Sequence, residues 1–366
     1  MLPKQKKLNN FNSVLPNSAY FKDEYLKLEL DTCFKNSPKY VGHELMVPDN
    51  GNFFSLPQEN HKRILVRDQN EILLISNLCK HRQAIMLEGQ GSIRNIVCPI
   101  HGWTYELSGK LKGAPYFAKT PCAALEKTEI YNWKGMLFEK NNYLKNFFEK
   151  IPFSKELSFD GYVLKDIKKH VCNYNWKTFI EVYLDDYHVN SYHPGLGNFV
   201  DCQNLTWRFD DQYSIQAVGI SDLSNHSTPN YEKFSQLVKK IYDGKLPKFG
   251  AIWLLIYPNL MLEWYPKSLV VSSLYPLSPQ KTINITEFYY PEEISFFDDE
   301  FIEAQQNAYN ETVVEDDEIA IKLEKGKKSL LEDNLNNNGP YHTELEAGIP
   351  YFHEFMNRNC YSIEKI

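Results

Sequence analysis

Cys79-Lys80-His81-Arg82 and Cys98-Pro99-Ile100-His101-Gly102-Trp103-Thr104-Tyr105 are the two stretches on which the reading of this chain turns. They form a C-x-H pair, sixteen intervening residues, and a C-x-x-H pair. Each pair follows a short apolar run of strand character, so both fall in loops that can face one another. Thiolates and imidazoles on two opposed loops suit a metal centre. Zinc accepts the same donors, but zinc fingers usually pair Cys with Cys and His with His around a helix. Here each loop supplies one of each. A lone cysteine is ordinarily a small buried hydrophobe; four ligand residues at this spacing point elsewhere.

One Cys and one His per loop is the donor order of a Rieske [2Fe–2S] cluster, in which two Cys hold one iron and two His the other. The mixed ligation raises the reduction potential above that of all-Cys clusters and makes a one-electron relay. With their flanks, the two stretches closely resemble the cluster-binding loops of Rieske oxygenases. Gln83 departs from the family pattern, which usually has glycine after the His-Arg pair, but it removes no ligand.

The rest of the chain is consistent with a globular enzyme. Its 366 residues predict two domains, and 43% apolar with 14% aromatic residues excludes a disordered chain. The net charge of −7 and the lack of a basic stripe argue against a nucleic-acid partner. No run approaches the ~18 apolar residues of a membrane span. Met1–Asn9 is basic but leads into polar residues, unlike a signal peptide. Seven cysteines, an odd number, read as reduced thiols in a cytoplasmic protein.

Ser18–Lys35 has apolar residues at near-helical spacing. Between Lys39 and Lys140, short runs such as 63–67, 71–75, 93–97 and 136–139 alternate with turns at 49–51, 89–91 and 108–110. That pattern predicts a small all-β domain. Trp176–Tyr192 reads as a helix stopped by Pro194-Gly195. The runs 250–257, 260–264, 269–275 and 282–289 read as an antiparallel meander, and Phe296–Leu331 as a long helix. Ser221–Tyr231 has the composition of a mobile loop. Asn336-Asn337-Asn338 and Lys325–Lys328 read as solvated surface.

A second constellation follows Trp176: Asp185-Asp186-Tyr187-His188, then His193-Pro194. Two His five apart turn a straight helix by ~500° and do not share a face. The residue before a proline disfavours α geometry, so the chain bends there and can bring both imidazoles to one point. Two His and one carboxylate make the facial triad of non-haem Fe(II) oxygenases. Within Glu315-Asp316-Asp317-Glu318, only Asp316 has apolar residues at +3, +4 and +7, namely Ile319, Ala320 and Leu323. Asp316 therefore points inward and needs a partner. Asp185, three residues before His188, is placed to orient that imidazole.

These segments, and the ending Gly339–Tyr361, resemble Rieske oxygenase α subunits, the ending resembling the choline and carnitine monooxygenase branch. The resemblance runs from about Leu15 to Tyr361 and implies an α+β fold. A small all-β Rieske domain, 40–140, would be inserted into a helix-grip catalytic domain, 1–39 and 141–366, with an antiparallel sheet gripping a long helix. It implies a [2Fe–2S] cluster on Cys79, His81, Cys98 and His101, and a mononuclear non-haem Fe(II) on His188, His193 and Asp316. Asp185 matches the family's bridging carboxylate, which links a cluster histidine of one subunit to an iron histidine of the next in a homotrimer. Electrons come from NAD(P)H. No G-x-G-x-x-G follows a strand, which points to a separate reductase, with or without a ferredoxin.

The expected reaction is O2-dependent hydroxylation of a small organic substrate. Family breadth favours an aromatic ring, and the C-terminal ending favours a quaternary amine of the choline, carnitine or betaine kind. Trp207, Trp253, Tyr257, Trp264, Tyr265 and Tyr289 could stack on a ring, enclose a trimethylammonium group by cation–π attraction, or simply fill the sheet core. A Rieske electron-transfer protein without oxygenase activity is the alternative of another class; it would need no triad.

Overall fold

The computed structural model describes residues 14–224, 228–335 and 339–361. Two compact units emerge: Pro38–Pro152, and Met1–Ser37 together with Phe153–Ile366. The fold is α+β: the smaller unit is built mainly of strands, with one short α-helix at Leu144–Phe148, and the larger combines a sheet with helices. Among the described residues no helix is long and apolar enough to cross a membrane, and all seven cysteines are free thiols.

The smaller unit holds a five-stranded antiparallel sheet and two three-stranded ones. Its central hairpin pairs Arg63–Asp68 with Glu71–Ser76. Ile64, Val66 and Ile75 pack into one apolar cluster with Ile96, Tyr105 and the two cysteines Cys79 and Cys98. The segment 89–91, expected as a turn, instead contributes the edge strand Gln90–Ser92, paired with Asn52–Ser55. Gly91 allows this, since a Cβ there would sit 3.0 Å from the Phe53 ring.

In the larger unit a seven-stranded antiparallel sheet runs, in spatial order, 162–172, 281–291, 268–278, 260–265, 251–256, 213–220 and 200–209. Along one face, Ala251 and Trp253 join one apolar cluster while Leu255 and Tyr257 join another, at the alternate spacing a strand imposes. The long helix Asp299–Glu332 packs on the first cluster through Phe301, Ile302, Ala304 and Ala308. The helices Trp176–Tyr183 and Gly348–Asn359 supply Trp176, Ile180, Phe352 and Met356 to the second.

Buried polar groups tie the short helix to its neighbours. Asn175 caps it through the Lys177 N–H. Glu324 of the long helix accepts from the Asn175 N–H at 2.6 Å and the Thr178 hydroxyl at 2.8 Å. Lys177 and Glu29 form a fully buried ion pair at 2.7 Å, and the Trp176 indole N–H donates to the same carboxylate. Lys327 is not solvated surface: it pairs with Glu181, which also meets His353 at 2.9 Å and the Tyr20 hydroxyl. Asn336-Asn337-Asn338, Met1–Asn9 and the centre of 221–231 lie outside the described residues. Pro229–Tyr231 opens the helix Pro229–Ile241, capped by the Thr228 hydroxyl.

Candidate active site

The two Cys–His loops share one construction. The Cys79 carbonyl accepts from the Gln83 N–H at 2.8 Å, and the Cys98 carbonyl from the Gly102 N–H at 3.0 Å. Each loop thus closes four residues after its cysteine, and both closing residues are left-handed, φ +59° at Gln83 and +69° at Gly102. That conformation explains why glycine suits the position Gln83 occupies.

Both thiols are buried, while His81 is half-buried and His101 exposed. The His81 ring stacks on Trp103 at 5.1 Å and lies 4.6 Å from the His101 ring. Tyr105 braces the loop, its hydroxyl accepting the Lys80 N–H at 3.0 Å and lying 3.5 Å from Cys79 Sγ. Burial works to raise the Cys79 thiol. The Tyr105 hydroxyl and the N–H groups of His81 and Arg82 outweigh it and hold the thiol below its ordinary value. His81 Nδ1 is buried with no hydrogen-bond partner. A thiol held toward thiolate and an orphaned imidazole nitrogen fit the ligands of a mixed Cys/His cluster.

The second constellation departs from the expected continuous helix. It stops at Tyr183, the chain is irregular through 184–188, and Val189–Tyr192 forms one further turn. Asp185 causes the break, because its Oδ1 accepts from the N–H groups of Tyr187 at 2.8 Å and His188 at 3.2 Å, replacing helical carbonyl partners. The Asp186 N–H is drawn off to the Leu345 carbonyl at 2.8 Å.

After the turn Val189–Tyr192 the backbone leaves the helix at His193, φ −104° and ψ 86°, just before Pro194, and the two imidazoles meet. His188 Nε2 lies 2.9 Å from His193 Nε2, and Asp316 Oδ1 lies 3.0 Å from the latter and 3.5 Å from the former. On the far sides of the rings, His188 Nδ1 lies 3.0 Å from Asp185 Oδ2 and His193 Nδ1 lies 2.7 Å from Glu315 Oε2. If each Nδ1–H donates to its carboxylate, both Nε2 atoms present lone pairs toward Asp316. Three acceptors converging on one point fit a cation, and the donor set is that of mononuclear iron. Burial lowers the His188 imidazole, but the Asp185 and Asp316 carboxylates outweigh it and raise it to about 10.

Asp316 arrives here although its expected face is only partly apolar. Ala320 is buried, but Leu323 is 42% exposed and Glu324 takes the buried position. The helix rotates its inner stripe to serve the polar contacts of Glu324.

A cavity of about 930 Å³, counted out to its mouth, opens on the triad. Trp253 and Tyr265 line it; Trp207 and Tyr257 are core, and Trp264 and Tyr289 are buried away from it. Among the described residues, the lining contains Asp185, Asp186, Glu263 and Asp316 and no Lys or Arg. Glu263 lies on the strand Leu260–Tyr265, and its Oε2 accepts from the Tyr265 hydroxyl at 2.7 Å. Burial pushes Glu263 up to about 7. Burial and then the Asp185 charge push Asp186 up to about 8. Sequence reasoning missed Glu263, Asp186 and Glu315. An acid inside the apolar run Leu-Met-Leu-Glu-Trp-Tyr was the available signal for Glu263.

Comparison with known proteins agrees with this geometry. Residues 37–127 match the Rieske [2Fe-2S] domain family, and residues 159–362 match the ring hydroxylating alpha subunit (catalytic domain) family. A putrescine 2-hydroxylase of Ralstonia nicotianae is 50% identical over 345 residues, covering 94% of each chain. Another, of Bordetella bronchiseptica, is 45% identical over 360 residues, covering 94% of this chain and 84% of that one. A quaternary ammonium Rieske monooxygenase, studied for carnitine oxidation by gut microbiota, has the same fold. Its TM-score is 0.74 at 18% identity, covering 95% of this chain and 96% of that one. The chain belongs to the ring hydroxylating alpha subunit family: it is a Rieske oxygenase, of the enzymes that pair a [2Fe–2S] cluster with a mononuclear non-haem iron and draw on O2 and a reductase.

Proposed function

We propose that this oxygenase hydroxylates an aliphatic carbon of a small diamine of the putrescine class. The cavity lining carries the reading: Glu263 and Asp186, two acids that the triad histidines do not engage, face a substrate that brings two positive charges, and the described lining residues include no Lys or Arg. The two relatives at 50% and 45% identity, both named putrescine 2-hydroxylase, support it. An aromatic acid would bring a carboxylate to the same acidic wall and find no Lys or Arg there. One atom of O2 enters the C–H bond and the other leaves as water, consuming two electrons and two protons.

In this reading His188, His193 and Asp316 hold the iron, and Cys79, His81, Cys98 and His101 hold the cluster. The iron supplies O2 activation and the cluster supplies electrons singly. Asp185 and Glu315, each against an Nδ1, fix the imidazole orientations so that both Nε2 atoms face the iron site. The buried thiols keep one side of the cluster loops dry, while exposed His101 offers a route for electrons to leave. The aromatic wall of Trp253, Tyr265 and Tyr309 excludes water around the substrate chain. A homotrimer, with Asp185 facing a neighbour's cluster loop, belongs to the same proposal.

A single turnover tests it. The purified protein is chemically reduced and mixed with O2 and, separately, putrescine, a trimethylammonium compound or an aromatic acid. Cluster reoxidation is followed optically and products by mass spectrometry. Putrescine should accelerate reoxidation and gain one oxygen atom. Acceleration and product with only the aromatic acid or the trimethylammonium compound would overturn the proposal.

A further inference from the structure

Two carboxylates in the cavity are not engaged by the triad histidines. Glu263 comes from the sheet and Asp186 from the break after Tyr183, so they approach the cavity from different elements. Each is only 3% exposed. Asp186 Oδ2 has no hydrogen-bond partner, and neither does the hydroxyl of Tyr183, which lines the same cavity. Glu263 is aimed rather than loose. The Trp253 indole N–H donates to the Tyr265 hydroxyl at 2.9 Å, which donates to Glu263 Oε2, while Oε1 has only the Tyr309 hydroxyl at 3.4 Å. Burying an unpartnered carboxylate is costly unless a ligand completes it.

We infer that Glu263 and Asp186 are the two ends of a diamine clamp, each accepting hydrogen bonds from one primary ammonium group of the substrate. This inference rests on the diamine reading above and assigns its recognition. A primary ammonium has three N–H donors to satisfy the open oxygens and the Tyr183 hydroxyl. A trimethylammonium group has none and would leave Asp186 Oδ2 unpartnered and Glu263 with its two tyrosine donors alone. The clamp therefore selects primary over quaternary amines and diamines over monoamines. The charges of Glu263 and Asp186 both act on the Tyr183 hydroxyl, in keeping with its place among them.

Equilibrium binding to the full-length, cluster-loaded protein tests the clamp by calorimetry, with putrescine, n-butylamine and butyltrimethylammonium as probes. Wild type should bind putrescine at least about tenfold more tightly than n-butylamine, and butyltrimethylammonium more weakly than either, the range expected for a charged hydrogen bond. In Glu263→Gln the putrescine preference over n-butylamine should fall to within about threefold, the cluster absorbance staying unchanged. Asp186→Asn is read in the same way and carries the test if Glu263→Gln does not fold. An undiminished putrescine preference in either folded variant overturns the clamp while leaving the substrate class standing. If wild type binds neither primary amine, the diamine reading itself falls, and the clamp with it.

Discussion

Glu315 Oε2 lies 2.7 Å from His193 Nδ1, while the next residue, Asp316, places Oδ1 3.0 Å from Nε2 of the same ring. Two adjacent carboxylates of one helix therefore grip opposite nitrogens of one imidazole. Glu315 is the counterpart for His193 of what Asp185 is for His188. Partners of this kind fix tautomer and orientation, and removing one typically costs 10–100-fold in metal affinity. Glu315→Ala should lose mononuclear iron to a chelator at 10–100-fold lower concentration than wild type, with the cluster spectrum intact. Equal retention of iron would make Glu315 a surface contact only.

Gln83 closes its loop in a left-handed conformation that Gly102 adopts in the sister loop without a side-chain penalty. Left-handed geometry costs an L-residue roughly 1–2 kcal/mol, and glycine's extra chain entropy returns part of that. Gln83→Gly should stabilise the cluster-bearing unit by about 0.5–1 kcal/mol net of those two effects. Thermal unfolding followed at the cluster absorbance band measures it. A lower midpoint would show that the Gln83 side chain contributes more than its backbone costs.

Glu263 gives the site a pH dependence of defined sign. Burial raises it to about 7 from an ordinary 4.5, with Tyr265 on its own strand, Tyr309 and Asp316 on the long helix, and Tyr183 around it. Its folded-state value is raised, so the folded protein bears no penalty below pH 4.5. The penalty grows as pH rises to 7 and is constant above. Glu263→Gln should therefore be more stable than wild type at pH 8, by up to about 3 kcal/mol, and indistinguishable at pH 4. Amine affinity in wild type should strengthen as pH rises through 7. Urea melts at the two pH values, and calorimetric titrations from pH 6 to 8, check the pair; a pH-independent affinity would contradict the role of Glu263.

Glu29 and Lys177 form a fully buried ion pair that also receives the Trp176 indole N–H. Removing one partner of such a pair strands the other charge, typically at a cost of 3–5 kcal/mol. Glu29→Ala should show a loss of that order in denaturant unfolding, with the cluster spectrum unaltered. A loss below about 1 kcal/mol would mean that Lys177 finds water or sheds its proton instead.

The cluster loops were proposed from sequence because their four candidate ligands lie within 23 residues and their residue types carry the chemistry. His188 and His193 were legible for the same reason, since Pro194 marks the bend. Asp316 was reached by helical periodicity, yet the observed stripe bends toward Glu324, a polar contact that an apolar pattern cannot encode. The break at 184–188 was missed because Asp185 competes with the helix through its own side chain. Glu263 and Asp186 lie 77 residues apart in sequence and meet one cavity only through the sheet topology. Lys327 looked solvated because its partner, Glu181, lies on another helix.

Iron and acid-labile sulfide content of wild type and Asp316→Ala test most directly whether His188, His193 and Asp316 make one mononuclear centre separate from the cluster. Wild type should hold about three irons and two sulfides per chain, two of the irons in the [2Fe–2S] cluster. Asp316→Ala should fall to about two irons, keep both sulfides and the visible spectrum, and lose putrescine turnover. A variant that keeps the third iron and turns over at the wild-type rate would contradict the triad.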